Sequence, residues 1–530
     1  MPPSLLDLDA VQDLLGHRPL LQLPLFGRVD AAVLIPVQEQ AGQHCLLLTK
    51  RASTLDDHPG ELSFPGGRRD PGDADLQATA LREAHEEIGL HPDDVQVLGR
   101  LDDFASNSGY RIAVFVGLIP PQFQAVPKED EVAGVLAIPV SVLRAACLGP
   151  SVTLCRRGFP ETFPVFRHQG DLVWGITARI IKDLLTALTP ADQLSEEDLL
   201  EATYRQAAAR LLAAKKVALC THMNPDGDGL GCEAALYHAL TDLGAKVQIA
   251  NADHTPPRFQ FLFERIPKEA FVEPTENLGR HCDCFLVVDT GEWKRIARAE
   301  GAAKAAGPRL LVLDHHLSGD MTCEGSLMLA RSWYSCTGEM VSRLLSTMGL
   351  PMTETYASPL LASIMYDTGG FRFVGQRNEP FETASYLVRS GARTADMQEA
   401  IFASITRQRL DATTRILASL TYEEGGQFVW AWVDNKLAEE TGADRDDIGE
   451  TISTMIALSD VKIAALIKEE HRDRVKVSLR SKACCPVSSV AQALGGGGHA
   501  HACGAVIKGS REGILEQLRI LVREALANSK

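Results

Sequence analysis

Three short apolar runs constrain this chain more than anything else in it, because each stops at residues suited to chemistry. Val217-Ala218-Leu219-Cys220 leads into Thr221-His222-Met223-Asn224-Pro225-Asp226-Gly227-Asp228, and Phe285-Leu286-Val287-Val288 stops at Asp289. Leu310-Leu311-Val312-Leu313 stops at Asp314-His315-His316. Runs of strand length separated by helical periodicity, such as that from Gly231 to Leu243, predict a parallel α/β sheet. Ligands of such sheets bind in the crevice beyond the carboxyl ends of the strands. The acids and histidines of all three segments are therefore expected in one place.

A cluster of that kind suits a two-metal phosphoryl site. Carboxylates and imidazoles ligate Mn²⁺ and its neighbours, and two cations about 3.5–4 Å apart can hold both the attacking and the leaving oxygen. Taken singly, each acid is an ordinary turn former or helix cap. Taken together, each at a strand end, they point to metal.

His222-x-x-x-Asp226-x-Asp228, Asp289, Asp314-His315-His316 and Tyr366-Asp367-Thr368-Gly369-Gly370-Phe371-Arg372-Phe373 occur in that order. They are followed by Val477-Ser478-Leu479-Arg480-Ser481 and Gly495-Gly496-Gly497-Gly498-His499. This series resembles the DHH phosphoesterases with a DHHA1 domain, in the branch of nano-RNases and 3',5'-ADP (pAp) phosphatases. The resemblance covers about residues 205–530. It implies one metal held by His222, Asp226 and Asp289, and a second held by Asp228, Asp289, His315 and Asp367, with Asp289 as the bridge. It also implies that His316 faces the substrate phosphate and that Asp314 orients its neighbours. Two Mn²⁺ or similar ions are the expected cofactors.

Composition limits the partners. A net charge of −16 over 530 residues argues against a long nucleic-acid track, which needs a basic stripe. Free nucleotides and short single-stranded RNA or DNA remain compatible, and a homodimer is the candidate assembly. The chain has no apolar run of the roughly 18 residues that a membrane span needs. Met1-Pro2-Pro3-Ser4 lacks a basic secretory start, so a cytoplasmic location is expected. The twelve cysteines include no C-x-x-C pair, which argues against a zinc or disulfide framework.

The N-terminal third carries a second signal. Ala32–Val37 and His44–Thr49 read as a strand pair, and Leu76 to Ile88 as a helix ended by Gly89. Glu83, Glu86 and Glu87 lie at i, i+3 and i+4 on one face, where like charges repel unless a cation binds. Gly67 followed by Arg82-Glu83-x-x-Glu86-Glu87-x-Gly89-Leu90 resembles the Nudix box of nucleoside-diphosphate-linked hydrolases. The early glutamate of that box has no clear match, and Asp73 or Asp75 is the expected stand-in.

Leu47-Leu48-Thr49-x-Arg51-Ala52, Gly60-x-x-x-Phe64-Pro65-Gly66-Gly67 and Trp174-Gly175-Ile176-Thr177-Ala178-Arg179 resemble the coenzyme A pyrophosphatases, except that Asp56 stands where that signature carries a second arginine. The resemblance implies Mg²⁺ or Mn²⁺ on Glu83, Glu86 and Glu87, and substrate near Arg51.

These readings give a multidomain α/β chain. A Nudix α/β/α sandwich spans about 25–187 and a linker 188–204. A parallel-sheet DHH domain spans 205–390, a helical connection 391–421, and a smaller α/β DHHA1 domain 422–530. In the last domain a glycine run followed by a helix would cradle a phosphate on bare backbone N–H groups. Arg480, Gly496, Gly497, Gly498 and His499 would hold substrate there, and Arg372 would do so beside the metals.

The expected function is a two-site hydrolase. The DHH/DHHA1 part would act on nanoRNA or 3',5'-ADP, with Asp314 and His316 in the catalytic set. The Nudix part would cleave a pyrophosphate such as that of CoA, with Glu83, Glu86 and Glu87 in its catalytic set. The alternatives give the Nudix part nucleotide-capped RNA ends, NADH or ADP-ribose, or make it a nucleotide-sensing regulator of the other site.

Overall fold

The computed structural model describes residues 6–55, 58–106, 108–147, 151–156, 159–316, 319–374, 377–403, 405–443, 448–470 and 474–528. Side chains at 153–156, 159–162, 191 and 499 lie outside that description. The chain divides into two compact units, Met1–Ile401 and Phe402–Lys530. Together they make a mixed α/β multidomain architecture with three main sheets.

The first sheet is built on the strand Val29–Gln40. It pairs antiparallel with Gln43–Arg51 and with Gly66–Arg68, and parallel with Tyr110–Ile119. Alternate side chains of the central strand go to opposite faces, as a period of two requires. Ala32 and Leu34 pack with Ala80, Ala84 and Ile88 of the helix Leu76–Ile88. Ile35 and Val37 pack with Ile181 and Leu184 of the helix Gly175–Ala187. The result is a helix–sheet–helix sandwich.

The expected helix 76–88 forms with those bounds. Asp75 caps its first turn through Ala78 N, and Gly89 closes it in the left-handed conformation at φ +73.

The helix Glu196–Ala213 leads into the second sheet, and the Ser195 hydroxyl accepts from Asp198 N at its start. This sheet has five parallel strands in the order Lys246–Ile249, Lys216–Cys220, Cys284–Val288, Leu310–Asp314, Leu327–Ala330. The three apolar runs of the sequence are its three central strands. Leu219, Leu286 and Leu313 face one core, and Ala218, Phe285 and Val312 face the other. Burial on both faces is why these strands read as unbroken apolar runs. The following helix starts at Gly227, earlier than its apolar pattern, because Asp226 caps it by accepting from Asp228 N.

The third sheet, in the second unit, pairs Phe428–Val433 parallel with Ile463–Glu469, then adds Arg474–Ser481, Ala502–Lys508 and Gly497–His499 antiparallel. Here the structure corrects the expected glycine cradle. The glycine run opens a strand, not a helix. A Cβ at Gly496 would lie 2.1 Å from Gly504 O, and one at Gly498 would lie 2.7 Å from Ala502 O. Gly496 and Gly498 let two strands approach closely, so no helix N-terminus is available there to receive a phosphate.

Candidate active site

At the carboxyl edge of the parallel sheet, backbone geometry sets the site before any side chain does. Asp289 takes φ +64 and Asn224 φ +52, left-handed conformations that L residues other than asparagine and aspartate seldom adopt. His222 follows the first central strand, Asp289 the second, and Asp314 ends the third. Asp367 comes from a different direction, as the last residue of the helix Glu354–Asp367.

These side chains converge. His222 Nε2 lies 3.3 Å from Asp289 Oδ2 and 3.8 Å from Asp226 Oδ2. His315 Nε2 lies 3.5 Å from Asp289 Oδ1 and 3.6 Å from both Asp228 Oδ2 and Asp367 Oδ2. Among the described residues, three sets have ligand atoms within 4.8 Å of one another: His222 with Asp226 and Asp289, Asp228 with His315 and Asp367, and Asp289 with His315 and His316. Asp289 belongs to two of them, and its two oxygens face different imidazoles.

His316 is held differently. Its Nδ1 lies 2.7 Å from Asp314 Oδ1, and it is more exposed than His315, at 25% against 3%.

The donor set fits divalent cations. His222 Nε2 is buried and makes no hydrogen bond, although two carboxylates lie beside it. An imidazole nitrogen and carboxylate oxygens at 3.3–3.8 Å surround a point rather than pair with each other.

Electrostatics agrees. Burial opposes charge on both imidazoles, yet Asp226 and Asp289 hold His222, and Asp367, Asp289 and Asp228 hold His315, well above the ordinary imidazole range. Burial pushes Asp367 up to about 6, with His315 opposing it. Acids packed this closely gain from a cation.

Residues the sequence reading missed fix the carboxylates. Asp228 accepts from the first-turn amides of the helix Thr337–Thr347, at 2.8 Å from Thr337 N and 3.1 Å from Gly338 N, and from the Ser363 hydroxyl. Thr337 Oγ1 also donates to Asp289 Oδ1 at 3.2 Å. Asp253 accepts from Asn224 N at 2.8 Å and braces the His222 loop. The run Ser335-Cys336-Thr337-Gly338-Glu339 was the one available signal, as a helix start. Ser363 and Asp253 carried none.

The glutamates of the first domain are arranged otherwise. Arg82 NH2 lies 3.0 Å from Glu83 Oε1, and Arg82 NH1 lies 3.3 Å from Glu86 Oε2. Glu87 is buried, and burial, then Glu83 and Glu131, push it up to about 8 against Arg51 and the Gly66 amide. A Cβ at Gly67 would lie 2.5 Å from Glu83 Oε1, so a larger residue there would displace that carboxylate. Among the described residues, the three glutamates do not form a set with ligand atoms within 4.8 Å.

The two expected stand-ins for the early glutamate both have partners within their own loop and helix. Asp73 is taken by Arg82 Nε at 3.0 Å and by the Thr79 hydroxyl, and Asp75 is the helix cap. Arg51 ends its strand within electrostatic reach of Glu87. Asp56 lies outside the described residues.

Arg372 is in the turn after Asp367, its Nε donating to Gly369 O at 2.6 Å and its guanidinium 6.0 Å from the Phe373 ring centre. In the second unit, Arg480 lies on the strand Arg474–Ser481 with NH1 donating to Leu479 O. His499 ends the strand Gly497–His499, and its side chain lies outside the description.

Comparison with known proteins agrees with this architecture. Residues 28–148 match the NUDIX domain model, 216–366 the DHH family N-terminal domain, and 425–528 the DHHA1 domain. The uncharacterized Nudix hydrolase NudL of Enterobacter sp. (strain 638) is 43% identical over 170 residues, which is 32% of this chain and 86% of that protein. NudL of Citrobacter koseri is 41% identical over 168 residues, again 32% of this chain and 86% of that protein. A crystal structure of an exopolyphosphatase-related protein from Bacteroides fragilis shares the fold at TM-score 0.54 and 22% identity, covering 61% of this chain and 96% of that one.

Nudix and DHH proteins are hydrolases that depend on divalent metals, and the acid–imidazole clusters described above are of the kind such ions require. The chain belongs to the Nudix hydrolase family and joins that domain to DHH and DHHA1 domains, as a bifunctional phosphoesterase and pyrophosphatase.

Proposed function

We propose that the DHH and DHHA1 domains hydrolyse short oligoribonucleotides or 3',5'-ADP to mononucleotides, using two Mn²⁺ or similar ions. The observation that carries this reading is Asp289, whose two oxygens face different imidazoles at the overlap of two donor sets. His222 and Asp226 would complete one ion's ligands, and Asp228, His315 and Asp367 the other's. Bound there, the ions supply Lewis-acid polarisation of the phosphoryl group and a more acidic attacking water. His316, braced by Asp314, would hydrogen-bond the phosphate, because it is the more open imidazole of the pair. Arg372 would pair with a second phosphate oxygen. Arg480 and His499 would serve the nucleotide in the second unit.

For the Nudix domain we propose cleavage of a pyrophosphate joined to a nucleoside, on Mg²⁺ or Mn²⁺ held by Glu83, Glu86 and Glu87, with Arg51 toward the substrate. CoA is the first candidate. Its cleavage yields 4'-phosphopantetheine and 3',5'-ADP, and the latter is the substrate proposed for the other site.

A second reading makes the Nudix domain a nucleotide sensor. It is favoured by Arg82, which pairs with both Glu83 and Glu86 and so occupies part of the face where an ion would bind. Product chromatography on the intact chain decides between them, with CoA, NADH, ADP-ribose, 3',5'-ADP and a diribonucleotide each supplied with Mn²⁺ or Mg²⁺. Turnover of neither 3',5'-ADP nor the dinucleotide defeats the first proposal. A pyrophosphate compound that alters the DHH rate without being cut establishes the sensor.

A further inference from the structure

We propose that Glu233 and Asn251 are positioning residues for His222, acting through the Thr221 peptide to aim its imidazole at Asp226 and Asp289. The proposal rests on reading His222 as a metal ligand, and goes beyond it to residues that belong to none of the motifs.

Glu233 lies on the helix Gly227–Asp242 and is 0% exposed. Its Oε2 accepts from Asn251 Nδ2 at 2.8 Å, and its Oε1 makes no hydrogen bond. Asn251 follows the strand Lys246–Ile249, and its Oδ1 accepts from Thr221 N at 2.9 Å. Thr221 is wholly buried, and its hydroxyl donates to Val288 O at 3.0 Å, one residue before Asp289. Beneath it Gly229 has no room for a side chain, since a Cβ would lie 2.1 Å from Thr221 Oγ1 and 3.4 Å from Asp289 Oδ2. One polar chain thus links the helix carrying Asp228, the loop carrying His222 and the strand end carrying Asp289.

The chemistry of an amide explains why a carboxyl is needed. An asparagine side chain can present either its oxygen or its NH₂ by turning over. Turned over, it would set its NH₂ against Thr221 N, donor against donor. Glu233 offers Asn251 an acceptor in either protonation state, so only the orientation with Oδ1 toward Thr221 N satisfies both ends. His222 depends on this because its Nδ1 is tied to Met223 O at 2.9 Å, on the same loop. The ring therefore points wherever that loop's backbone points. A buried carboxyl with an unsatisfied oxygen is a costly core residue, and a leucine would fill the space without that cost.

The test is calorimetric titration of Mn²⁺ into the metal-stripped full-length chain, with thermal unfolding followed alongside. The variants are His222→Ala, Glu233→Leu, Glu233→Gln and Asn251→Ala. His222→Ala identifies the binding step that uses this imidazole. Glu233→Leu and Asn251→Ala should weaken that same step about 10–100-fold. Glu233→Gln, whose amide oxygen still accepts from Asn251, should stay close to wild type.

Wild-type binding by Glu233→Leu and Asn251→Ala, with the step lost in His222→Ala, overturns the positioning role. Wild-type binding by His222→Ala overturns the ligand assignment instead. Equal losses in the leucine and glutamine variants, matched by equal drops in unfolding temperature, would show a structural role and also overturn the proposal. Asn251→Ala leaves the helix core intact, so it carries the test if Glu233→Leu does not fold.

Discussion

Replacing Glu87 with glutamine should remove a pH dependence from the stability of the metal-free protein. In the folded chain burial is the main cause that pushes this carboxyl up to about 8, whereas in the unfolded chain it titrates near about 4.3. Between those values the folded state keeps a proton that the unfolded state has released. Stability from this group is therefore whole below about pH 4.3, falls as pH rises, and levels off above about pH 8. From pH 6 to pH 8 the slope of about 1.4 kcal/mol per pH step, rounded off near the folded value, gives a loss of about 2 kcal/mol. For a domain of this size that is about 4–8 °C in unfolding midpoint. Scanning fluorimetry with a chelator, at pH 6 and pH 8, compares wild type with Glu87→Gln so that every other titrating group cancels. The wild type should lose about 4–8 °C more than the variant. Mg²⁺ at pH 8 should return more of that loss to the wild type, since a cation that binds only the folded state stabilises it. Parallel pH profiles for the two proteins would refute the argument.

Asp289→Ala should lower turnover of 3',5'-ADP by on the order of a thousandfold, because one carboxylate serves both donor sets; a variant that kept a tenth of the rate would deny the bridging role. Mn²⁺ should support that turnover better than Mg²⁺, which takes imidazole nitrogen poorly, and equal rates in the two ions would remove His222 and His315 as ligands. Glu86→Gln should cut pyrophosphate cleavage steeply while leaving hydrolysis of added 3',5'-ADP near wild type, measured by chromatography of both products. Arg480→Ala should raise KM for a dinucleotide with kcat little changed; a fall in kcat alone would make it part of the chemistry.

Much of the acid–imidazole cluster was legible because its residues follow strands, and strands buried on both faces announce themselves as apolar runs. The chain direction then fixes which ends meet. What the sequence hid is what reaches the cluster sideways. Ser363 and Thr337 contact Asp228 from 135 and 109 residues away, on helices whose polar faces look like any others. Their arrival depends on packing: a Cβ at Gly338 would lie 2.0 Å from Ser363 Oγ, so this glycine is what lets the two helices close on the carboxylate. Asn251 and Asp253 follow the edge strand Lys246–Ile249, and its pairing with Lys216–Cys220 brings them under the His222 loop. The glycine run misled for the same reason. Glycine signals close approach, and composition does not say whether a phosphate or another strand approaches.

The joint between the Nudix and DHH parts bears on how two sites work in one chain. Arg205, on the helix Glu196–Ala213, lies 3.5 Å from Asp102 and 3.3 Å from Asp183, both of the first domain. Arg18 joins the same Asp102 at 2.7 Å, and Arg28 donates to Gly349 O at 2.9 Å. Arg18, Asp102, Asp183 and Arg205 line a cavity of about 370 Å³ together with Glu201 and Arg343, which are themselves 2.9 Å apart. Buried ion pairs add little net stability, because desolvation offsets their attraction, but leaving one partner alone is costly. They therefore act on arrangement: a shifted joint would strand charges that the present one pairs. Arg343 sits on the helix Thr337–Thr347, the same helix whose first turn holds Asp228. One rigid element thus runs from the charged joint to the metal cluster. The Nudix and DHH parts thus lie in one compact unit, Met1–Ile401, and these ion pairs join them.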